Sequence, residues 1–303
     1  MASQPQVFLE DEALRDGLQM ESRIFSLEEK MYIFQLLAAA NVPRIQVGSF
    51  VHPKLVPQMA DTDTLIKELL KLNPKPLLTA LVLNEKGLER ALASGLTHVS
   101  MSISASDTHS QRNTNRTSAE ALKAMVSLIG QAKKSGLTVR AGVQCAFGCV
   151  YEGRIAEGKV LSAAESMVKA GADELNLADT TGMGQPLQVR ALVRLVKKNL
   201  PQVKISLHLH DTRGLGLANM FVAYEEGVNI FDVCAGGLGG CPFIKGAAGN
   251  VPTEDAAHMF AAMGVETGLD LQKIVEVVEE LEKILGRTLP GKMARVLKAN
   301  AGQ

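Results

Sequence analysis

The chain has 303 residues, 46% of them hydrophobic, and its 32 Lys and Arg residues balance its 32 Asp and Glu residues to a formal net charge of zero. The balanced charge excludes a nucleic-acid-binding protein that relies on surplus basic residues, and the hydrophobic content excludes a disordered chain. The sequence shows no apolar run of about 18 residues, no secretory signal and no transit segment, and four cysteines do not make a disulfide framework. We therefore expect a cytoplasmic protein without membrane association.

Short apolar runs alternate with longer amphipathic runs along the chain. The runs that predict strands are residues 6–10, 44–48, 77–83, 98–103, 138–143, 174–179, 204–210 and 230–235. The runs that predict helices are residues 27–40, 62–72, 85–94, 119–134, 162–170, 187–199, 217–226 and 253–262. Eight successive strand–helix units predict a (β/α)8 TIM barrel. The alternative is an open doubly wound sheet, which is disfavoured because no glycine-rich phosphate-binding motif follows the first strand.

The pattern predicts a single catalytic domain over residues 1–303. The barrel would occupy about residues 6–265, followed by a C-terminal helical extension over about residues 266–303. Within that extension, residues 271–285 are amphipathic and a basic tail follows. We expect this segment to pack outside the barrel, although it could instead form an interface, which would favour a homodimer.

A barrel of this kind carries its functional residues at the carboxyl ends of strands or in the loops just after them. Arg15 and Asp16 follow the first predicted strand. Asp16 offers a hard oxygen ligand to a metal, and Arg15 offers a fixed fork of donors to a substrate oxyanion. A surface ion pair is the alternative interpretation of these two residues.

Two charged residues lie in the fifth and sixth predicted strands. Arg140 is placed to reach the barrel mouth, where an unpaired cation is costly, so a carboxylate or phosphate partner is expected. Asp179 ends the sixth strand and could act as a base or support another site residue. It could instead cap the following helix.

The seventh predicted strand ends with His208 and His210. Residues two apart on a strand point to the same side, and two imidazoles at a strand end can share a metal. The alternative is a pair of unrelated polar residues at a strand terminus.

The loop after the eighth strand contains six glycines between residues 236 and 250. Such a loop can approach a ligand closely or move as a lid. Cys241 is the only reactive side chain in its glycine run, although a flexible turn with an incidental thiol has the same pattern. Cys145, Cys149 and Cys234 are interpreted as small buried residues.

Eight short segments together resemble the 3-hydroxy-3-methylglutaryl-CoA (HMG-CoA) lyases. The segments are 15–19 (RDGLQ), 49–54 (SFVHPK), 56–59 (VPQM), 151–153 (YEG), 208–212 (HLHDT), 237–242 (GLGGCP), 249–250 (GN) and 253–255 (TED). The resemblance extends from about Val7 to Leu285, and the GLGGCP loop is typical of the lyases rather than of the related isopropylmalate and homocitrate synthases.

The resemblance implies a set of metal ligands. Asp16, His208, His210 and Asn250 would hold a divalent cation, Mg²⁺ or Mn²⁺, with substrate oxygens completing an octahedron. Mixed oxygen and imidazole ligands suit those ions better than the closed tetrahedral sites of zinc.

The resemblance also implies catalytic roles. Arg15 would stabilise negative charge on the substrate carbonyl. Asp179, with His208, would remove the proton of the tertiary alcohol, and Cys241 would protonate the carbanion that leaves as acetyl-CoA. Arg15, Gln46, Arg140 and Gly142 would form the substrate-binding wall.

The sequence departs from the family at two of these positions. The family usually carries Glu where this chain has Gln46, and the lost charge could reduce activity. The family often carries Tyr where this chain has Gly142, which would leave space near the acyl group. This departure suggests a substrate with a bulkier 3-substituent than methyl, or with a different acyl skeleton.

The function implied by the resemblance is retro-Claisen cleavage of an HMG-CoA-like thioester to acetyl-CoA and a 3-oxo acid, as in leucine degradation and ketone-body formation. The expected partner is an acyl-CoA and not a nucleic acid. Two alternatives stay open. One is a Claisen-condensing acyltransferase or aldolase on the same metal site, and the other is a metal-binding barrel with impaired catalysis.

Overall fold

Eight parallel strands form a closed barrel in the computed structural model, which describes residues 6–240 and 249–301. Each strand pairs with the next along the chain, and β8 pairs with β1. The strands are β1 (Phe8–Asp11), β2 (Arg44–Ser49), β3 (Leu77–Leu81), β4 (His98–Ser104), β5 (Thr138–Gln144), β6 (Glu174–Ala178), β7 (Lys204–His208) and β8 (Ile230–Val233). The predicted (β/α)8 barrel is therefore confirmed.

Helices follow the strands and cover the outside of the barrel. Those in the described ranges are α1 (Leu27–Ala39), α2 (Thr62–Lys71), α3 (Glu85–Ser94), α4 (Asp107–Thr114), α5 (Ser118–Lys134), α6 (Glu157–Lys169), α7 (Pro186–Asn199), α8 (Gly216–Glu225), α9 (Thr253–Ala262), α10 (Leu271–Leu285) and α11 (Lys292–Ala301). None of these helices is both long and apolar enough to cross a membrane.

Local sequence signals set where several helices begin and end. Ser26 accepts a hydrogen bond from Glu29 N while the Glu29 carboxylate accepts one from Ser26 N, and this reciprocal capping starts α1. Gly95 ends α3 in the left-handed conformation, with φ of 85°, which a side chain would disfavour. These signals are local, so they fix the helix ends without help from the barrel.

The structure differs from the sequence prediction at several boundaries. β7 ends at His208, because His210 instead pairs with Asn250 across the barrel mouth. α4 was not predicted, since its eight residues are polar and carry little apolar periodicity. α6 begins at Glu157, five residues before the predicted start. The basic tail folds as α11.

The C-terminal helices pack outside the barrel. α10 contacts α1 and α9, and it buries a stripe that includes Ile274, Val278 and Leu281. Asp270 N, just before α10, donates a hydrogen bond to Ala40 O at the end of α1. The C-terminal extension therefore covers the outer face of α1, the helix that follows β1.

Candidate active site

The turn after β1 places two of the predicted site residues at the barrel mouth. Gly17 N donates to Glu12 O over 3.1 Å, a bond that spans five residues and makes the turn wider than an α-helical one. Such single wide turns occur frequently at functional sites. Arg15 and Asp16 lie inside this turn and both are mostly buried.

Arg15 is held by side chains on three sides. Its Nη1 donates to Asp16 Oδ1, its Nη2 donates to Glu12 Oε2, and its Nε donates to Gln46 Oε1. Burial by itself lowers the pKa of Arg15, but Asp16 and Glu12 outweigh burial and raise it above its ordinary value. The guanidinium is therefore a fixed, permanent positive charge.

The two histidines at the end of β7 meet at the same point as Asp16. His208 Nε2 lies 3.0 Å from His210 Nε2, and His210 Nε2 lies 3.9 Å from Asp16 Oδ2. The ligand atoms of the three residues all lie within 4.8 Å of one another. The shared face predicted for the two histidines is therefore present.

Asn250 adds a fourth group. Its Nδ2 donates to Asp16 Oδ2 over 2.8 Å and to Leu238 O over 3.1 Å. Its Oδ1 is buried and has no hydrogen-bond partner among the described residues. A buried carbonyl oxygen without a partner is costly, and a cation would satisfy it. One carboxylate, one amide oxygen and two imidazoles suit a hard or borderline divalent cation, so the residues fit such an ion.

Asp232 on β8 orients His208. His208 Nδ1 lies 3.3 Å from Asp232 Oδ2, and Arg140 Nη1 donates to Asp232 Oδ1 over 2.6 Å. A carboxylate behind a histidine fixes the proton on Nδ1 and leaves the Nε2 lone pair for a metal. His208 Nε2 is therefore directed at the cluster of potential ligands.

The protonation of the cluster follows from its charges. Burial by itself would raise the pKa of Asp16, but Arg15 beside it lowers the pKa to about 2. Burial and the neighbouring His208 lower the pKa of His210 to about 3. Asp16 is therefore ionised and His210 is neutral at neutral pH, as metal ligands must be.

His208 differs from His210. Burial lowers the pKa of His208, but the carboxylates of Glu12, Asp232 and Asp16 outweigh burial and raise it. The same carboxylates that favour a proton on this ring favour a metal cation beside it. The carboxylates around His208 therefore create a negative electrostatic potential that favours a cation.

Arg140 lies below the mouth in a layer of buried charges. It contacts Glu10 over 3.1 Å and Glu12 over 3.2 Å, besides its bond to Asp232. The carboxylate partners that its burial led us to expect are thus present. Direct contact between Arg140 and a substrate stays a prediction.

Gly142 lies in register between Ser102 of β4 and Asn176 of β6. A Cβ atom on Gly142 would lie 3.2 Å from Ser102 Cβ and 3.8 Å from Asn176 Cβ. A side chain at position 142 would therefore contact both neighbouring strands at its first carbon.

Asp179 follows β6 and is buried. Its Oδ1 accepts a hydrogen bond from Met183 N over 2.8 Å and its Oδ2 accepts one from Gly184 N over 2.9 Å, while Asp179 N donates to His208 O. Burial raises the pKa of Asp179 to about 6. The residue shapes its own loop beside His208, and its role as a base stays a prediction.

The glycine loop reaches the cluster at Gly239. A Cβ atom on Gly239 would lie 2.6 Å from Asn250 Nδ2 and 2.9 Å from Asp16 Oδ2, and φ is 96°. Close approach of the backbone to the ligands thus requires glycine here. Cys241 lies outside the described residues, so its predicted role as proton donor stays a prediction. Cys145, Cys149 and Cys234 are buried free thiols, as expected.

Sequence reasoning missed two residues of the site, Glu12 and Asp232. Asp232 has a signal in the sequence, because a carboxylate inside the apolar run of β8 is costly without a partner. Glu12 has a weaker signal, because it lies in a run of acidic residues before Arg15. Only the barrel closure shows which of those acidic side chains faces inward.

The fold and the cluster define a class of protein: a (β/α)8-barrel enzyme with a group of side chains that could hold a metal ion at the carboxyl end of its strands. The sequence profile of the HMGL-like family matches residues 6–281. The chain belongs to the HMGL-like family, and it is a lyase.

Three known proteins illustrate the similarity. The chain is 41% identical to the (R)-citramalyl-CoA lyase of Chloroflexus aurantiacus, over 94% of this chain and 92% of that protein. The crystal structure of the Bacillus subtilis HMG-CoA lyase matches with a TM-score of 0.93 at 35% identity, covering 97% of this chain and 99% of that chain. An Acinetobacter baumannii HMG-CoA lyase in complex with coenzyme A and 3-methylmalate matches with a TM-score of 0.90 at 34% identity, covering 97% of this chain and 96% of that one.

Proposed function

We propose that this protein is a divalent-metal-dependent lyase that cleaves an HMG-CoA-like thioester to acetyl-CoA and a 3-oxo acid. The observation that carries the proposal is the convergence of Asp16, His208, His210 and the unpartnered Asn250 Oδ1 next to the guanidinium of Arg15. The reaction needs a tertiary alcohol to lose its proton and a thioester enolate to be stabilised. The site offers groups for both requirements.

The four ligand residues would hold Mg²⁺ or Mn²⁺. When bound, such a cation supplies Lewis acidity, which makes an alcohol more acidic and fixes its orientation. Asp179 lies beside His208 with its pKa raised to about 6 by burial, which suits a group that accepts a proton near neutral pH.

Arg15 would donate hydrogen bonds to the thioester oxygen as negative charge develops there. A fixed cation in a buried site stabilises such a charge more strongly than water does. Cys241 would then deliver a proton to the departing carbon, which makes acetyl-CoA.

A second substrate, (R)-citramalyl-CoA, is favoured by the 41% identity to the Chloroflexus aurantiacus enzyme. In that thioester the alcohol carbon carries its carboxylate directly, and cleavage would release pyruvate. The bulkier substrate suggested by Gly142 is the alternative that the test below decides.

The test compares acetyl-CoA release from HMG-CoA, from (R)-citramalyl-CoA and from an analogue of HMG-CoA with a longer 3-alkyl branch, each with Mn²⁺. We expect turnover of at least one of the first two, with kcat/KM at least about tenfold above that of the branched analogue. A preference for the branched analogue would contradict the substrate proposal.

Two cysteine variants complete the test. Cys241→Ala is expected to abolish release, whereas Cys149→Ala, which changes a buried thiol that accepts a hydrogen bond from Ser106, is expected to retain it. Condensation of acetyl-CoA with an oxo acid in excess of cleavage would favour the acyltransferase alternative. Metal binding without turnover of any of the three thioesters would favour the impaired barrel.

A further inference from the structure

Glu12 lies at the centre of the charged groups below the site. Its side chain is fully buried and accepts hydrogen bonds from Arg15 Nη2, from Gln46 Nε2 over 2.8 Å and from Arg140 Nη2 over 3.2 Å. It also lies 3.5 Å from His208 Nδ1. One carboxylate therefore contacts the guanidinium expected to bind substrate and approaches the histidine expected to bind the metal.

Gln46 and Glu12 depend on each other. The Gln46 amide accepts a hydrogen bond from Arg15 Nε through Oε1 and donates one to Glu12 Oε1 through Nε2. A carboxylate at position 46 would keep the first bond but turn the second into a contact between two negative oxygens. An amide at position 46 and a carboxylate at position 12 therefore form a matched pair around Arg15.

Glu12 is not needed to neutralise Arg140. Arg140 already contacts Asp232 over 2.6 Å and Glu10 over 3.1 Å. A second metal between Glu12, His208 and Asp232 is also disfavoured, because Arg15 and Arg140 both contact this carboxylate and would repel a cation there. The remaining contact of Glu12 with a guanidinium is the one with Arg15, whose Nη2 donates to it.

We infer that Glu12 is a positioning residue that acts through Arg15, with Gln46 as its matched partner. A guanidinium has five N–H donors, and Glu12, Gln46 and Asp16 occupy three of them in the described structure. These contacts fix the plane of the group and leave two donors, one on each Nη, for the thioester oxygen of a substrate. The inference rests on the proposed function for its catalytic consequence.

The experiment uses three variants of the full-length protein: Glu12→Gln, Gln46→Glu and the exchange that combines both. We expect kcat for the better of the two thioesters to fall about 100-fold in each single variant, the size of effect seen when a preorganised charge contact is lost. KM should stay within about threefold. The exchange variant should recover at least about tenfold over either single variant, because it restores one carboxylate and one amide.

Two further arms separate positioning from a structural role. In an Arg15→Gln background, Glu12→Gln should lower kcat less than about threefold further, because its effect passes through the missing guanidinium. Glu174→Gln is the matched control: it removes another buried carboxylate of the same layer, one that pairs with Arg44 and not with Arg15. It should lower stability and leave kcat within about threefold.

Proton exchange at Arg15 Nε–H, followed by nuclear magnetic resonance of ¹⁵N-arginine-labelled protein, tests the positioning without substrate. The signal should be protected in the wild type and exchange at least about tenfold faster in Glu12→Gln. Unchanged exchange, a kcat within threefold of wild type in Glu12→Gln, or an equal loss in the Arg15→Gln background would overturn the inference. Absence of turnover in the wild type would instead refute the proposed function. The proton-exchange measurement at Arg15 would still decide whether Glu12 positions this side chain.

Discussion

At the residue scale, the site depends on charges that are paired below the barrel mouth. Asp232 joins the buried charges to the site, because one of its oxygens contacts Arg140 and the other contacts Nδ1 of His208. Its pKa is held far below the ordinary range, because Arg140 and His208 outweigh the effect of burial. A permanent negative charge behind His208 would strengthen that ring as the metal ligand that we propose it to be.

The Asp232→Asn substitution should weaken Mn²⁺ binding about 10- to 100-fold, as is usual when the carboxylate behind a ligating histidine is removed. Titration of the metal-free protein with Mn²⁺ measures the change. Glu10→Gln serves as the control, because Glu10 also pairs with Arg140 but is not among the partners of His208. If both variants bound Mn²⁺ equally well, Asp232 would have no role in orienting His208.

At the element scale, the loops after β1 and β8 and the end of β7 bring the site residues together. The loop after β8 contributes backbone as well as side chains, because Gly239 and Gly249 approach their neighbours where no Cβ would fit. The backbone of Asn250 is held at the barrel mouth by its bridge with His210. The glycine pattern that the sequence displays therefore has a steric cause.

Gly239→Ala should abolish turnover, with a loss of at least about 100-fold, because its methyl group would collide with Asn250 and Asp16. Gly264→Ala is the matched control: Gly264 also has positive φ, 72°, but no atom lies within 4 Å of the Cβ position. The control should lose about 1 kcal/mol of stability and keep its activity. Steady-state kinetics and thermal unfolding of both proteins check the comparison, and equal activity in the two would contradict the steric argument.

The sequence predicted most elements but not all of their ends. The strand at residues 174–178 (ELNLA) alternates polar and apolar side chains, and this period of two is typical of a strand. The helix Asp107–Thr114 is polar, and its start is fixed by Ser106 accepting from His109 N rather than by an apolar face. Local chemistry of that kind is weak evidence until the neighbouring elements are known.

The same limit applied to the site. The spacing of His208 and His210 on one strand made their shared face predictable, and the resemblance supplied Asp16 and Asn250. The hydrogen bonds that Gln46 makes with Arg15 and with Glu12 could not be predicted, because they join residues 31 and 34 apart and depend on the closure of the barrel.

At the scale of the whole molecule, a buried glutamate links α9 to the loop after β8. Glu254 on α9 accepts a hydrogen bond from Gly236 N over 3.0 Å, and its other oxygen is buried without a partner in the described structure. Burial raises the pKa of Glu254 to about 8. The folded protein therefore keeps a proton on this side chain that the unfolded chain releases near its ordinary pKa of 4.5.

This raised pKa predicts a stability that falls with pH. Between about pH 5 and pH 8 the folded state binds more protons at Glu254 than the unfolded state, so the free energy of unfolding decreases as pH rises, by at most about 1.4 kcal/mol per pH unit from this group. Glu254→Gln should remove that part of the slope. Its free energy of unfolding should therefore fall less between pH 5.5 and pH 8 than that of the wild type. Urea unfolding of both proteins at the two pH values measures it, and parallel slopes would show that Glu254 is ionised in the folded state.

The C-terminal extension and the barrel share one packed surface, since α10 covers α1 and α9. The homodimer expected from this extension and the cytoplasmic location stay predictions, and sedimentation of the purified protein tests the first.

The most direct test of the account is the dependence of carbon–carbon cleavage on a divalent cation. Wild-type protein stripped of metal with a chelator should release no acetyl-CoA from HMG-CoA or (R)-citramalyl-CoA, and added Mn²⁺ should restore release in the wild type but not in His210→Ala. Release that persists in the stripped protein, or that returns equally in His210→Ala, would contradict the assignment of Asp16, His208, His210 and Asn250 as the metal site of a lyase.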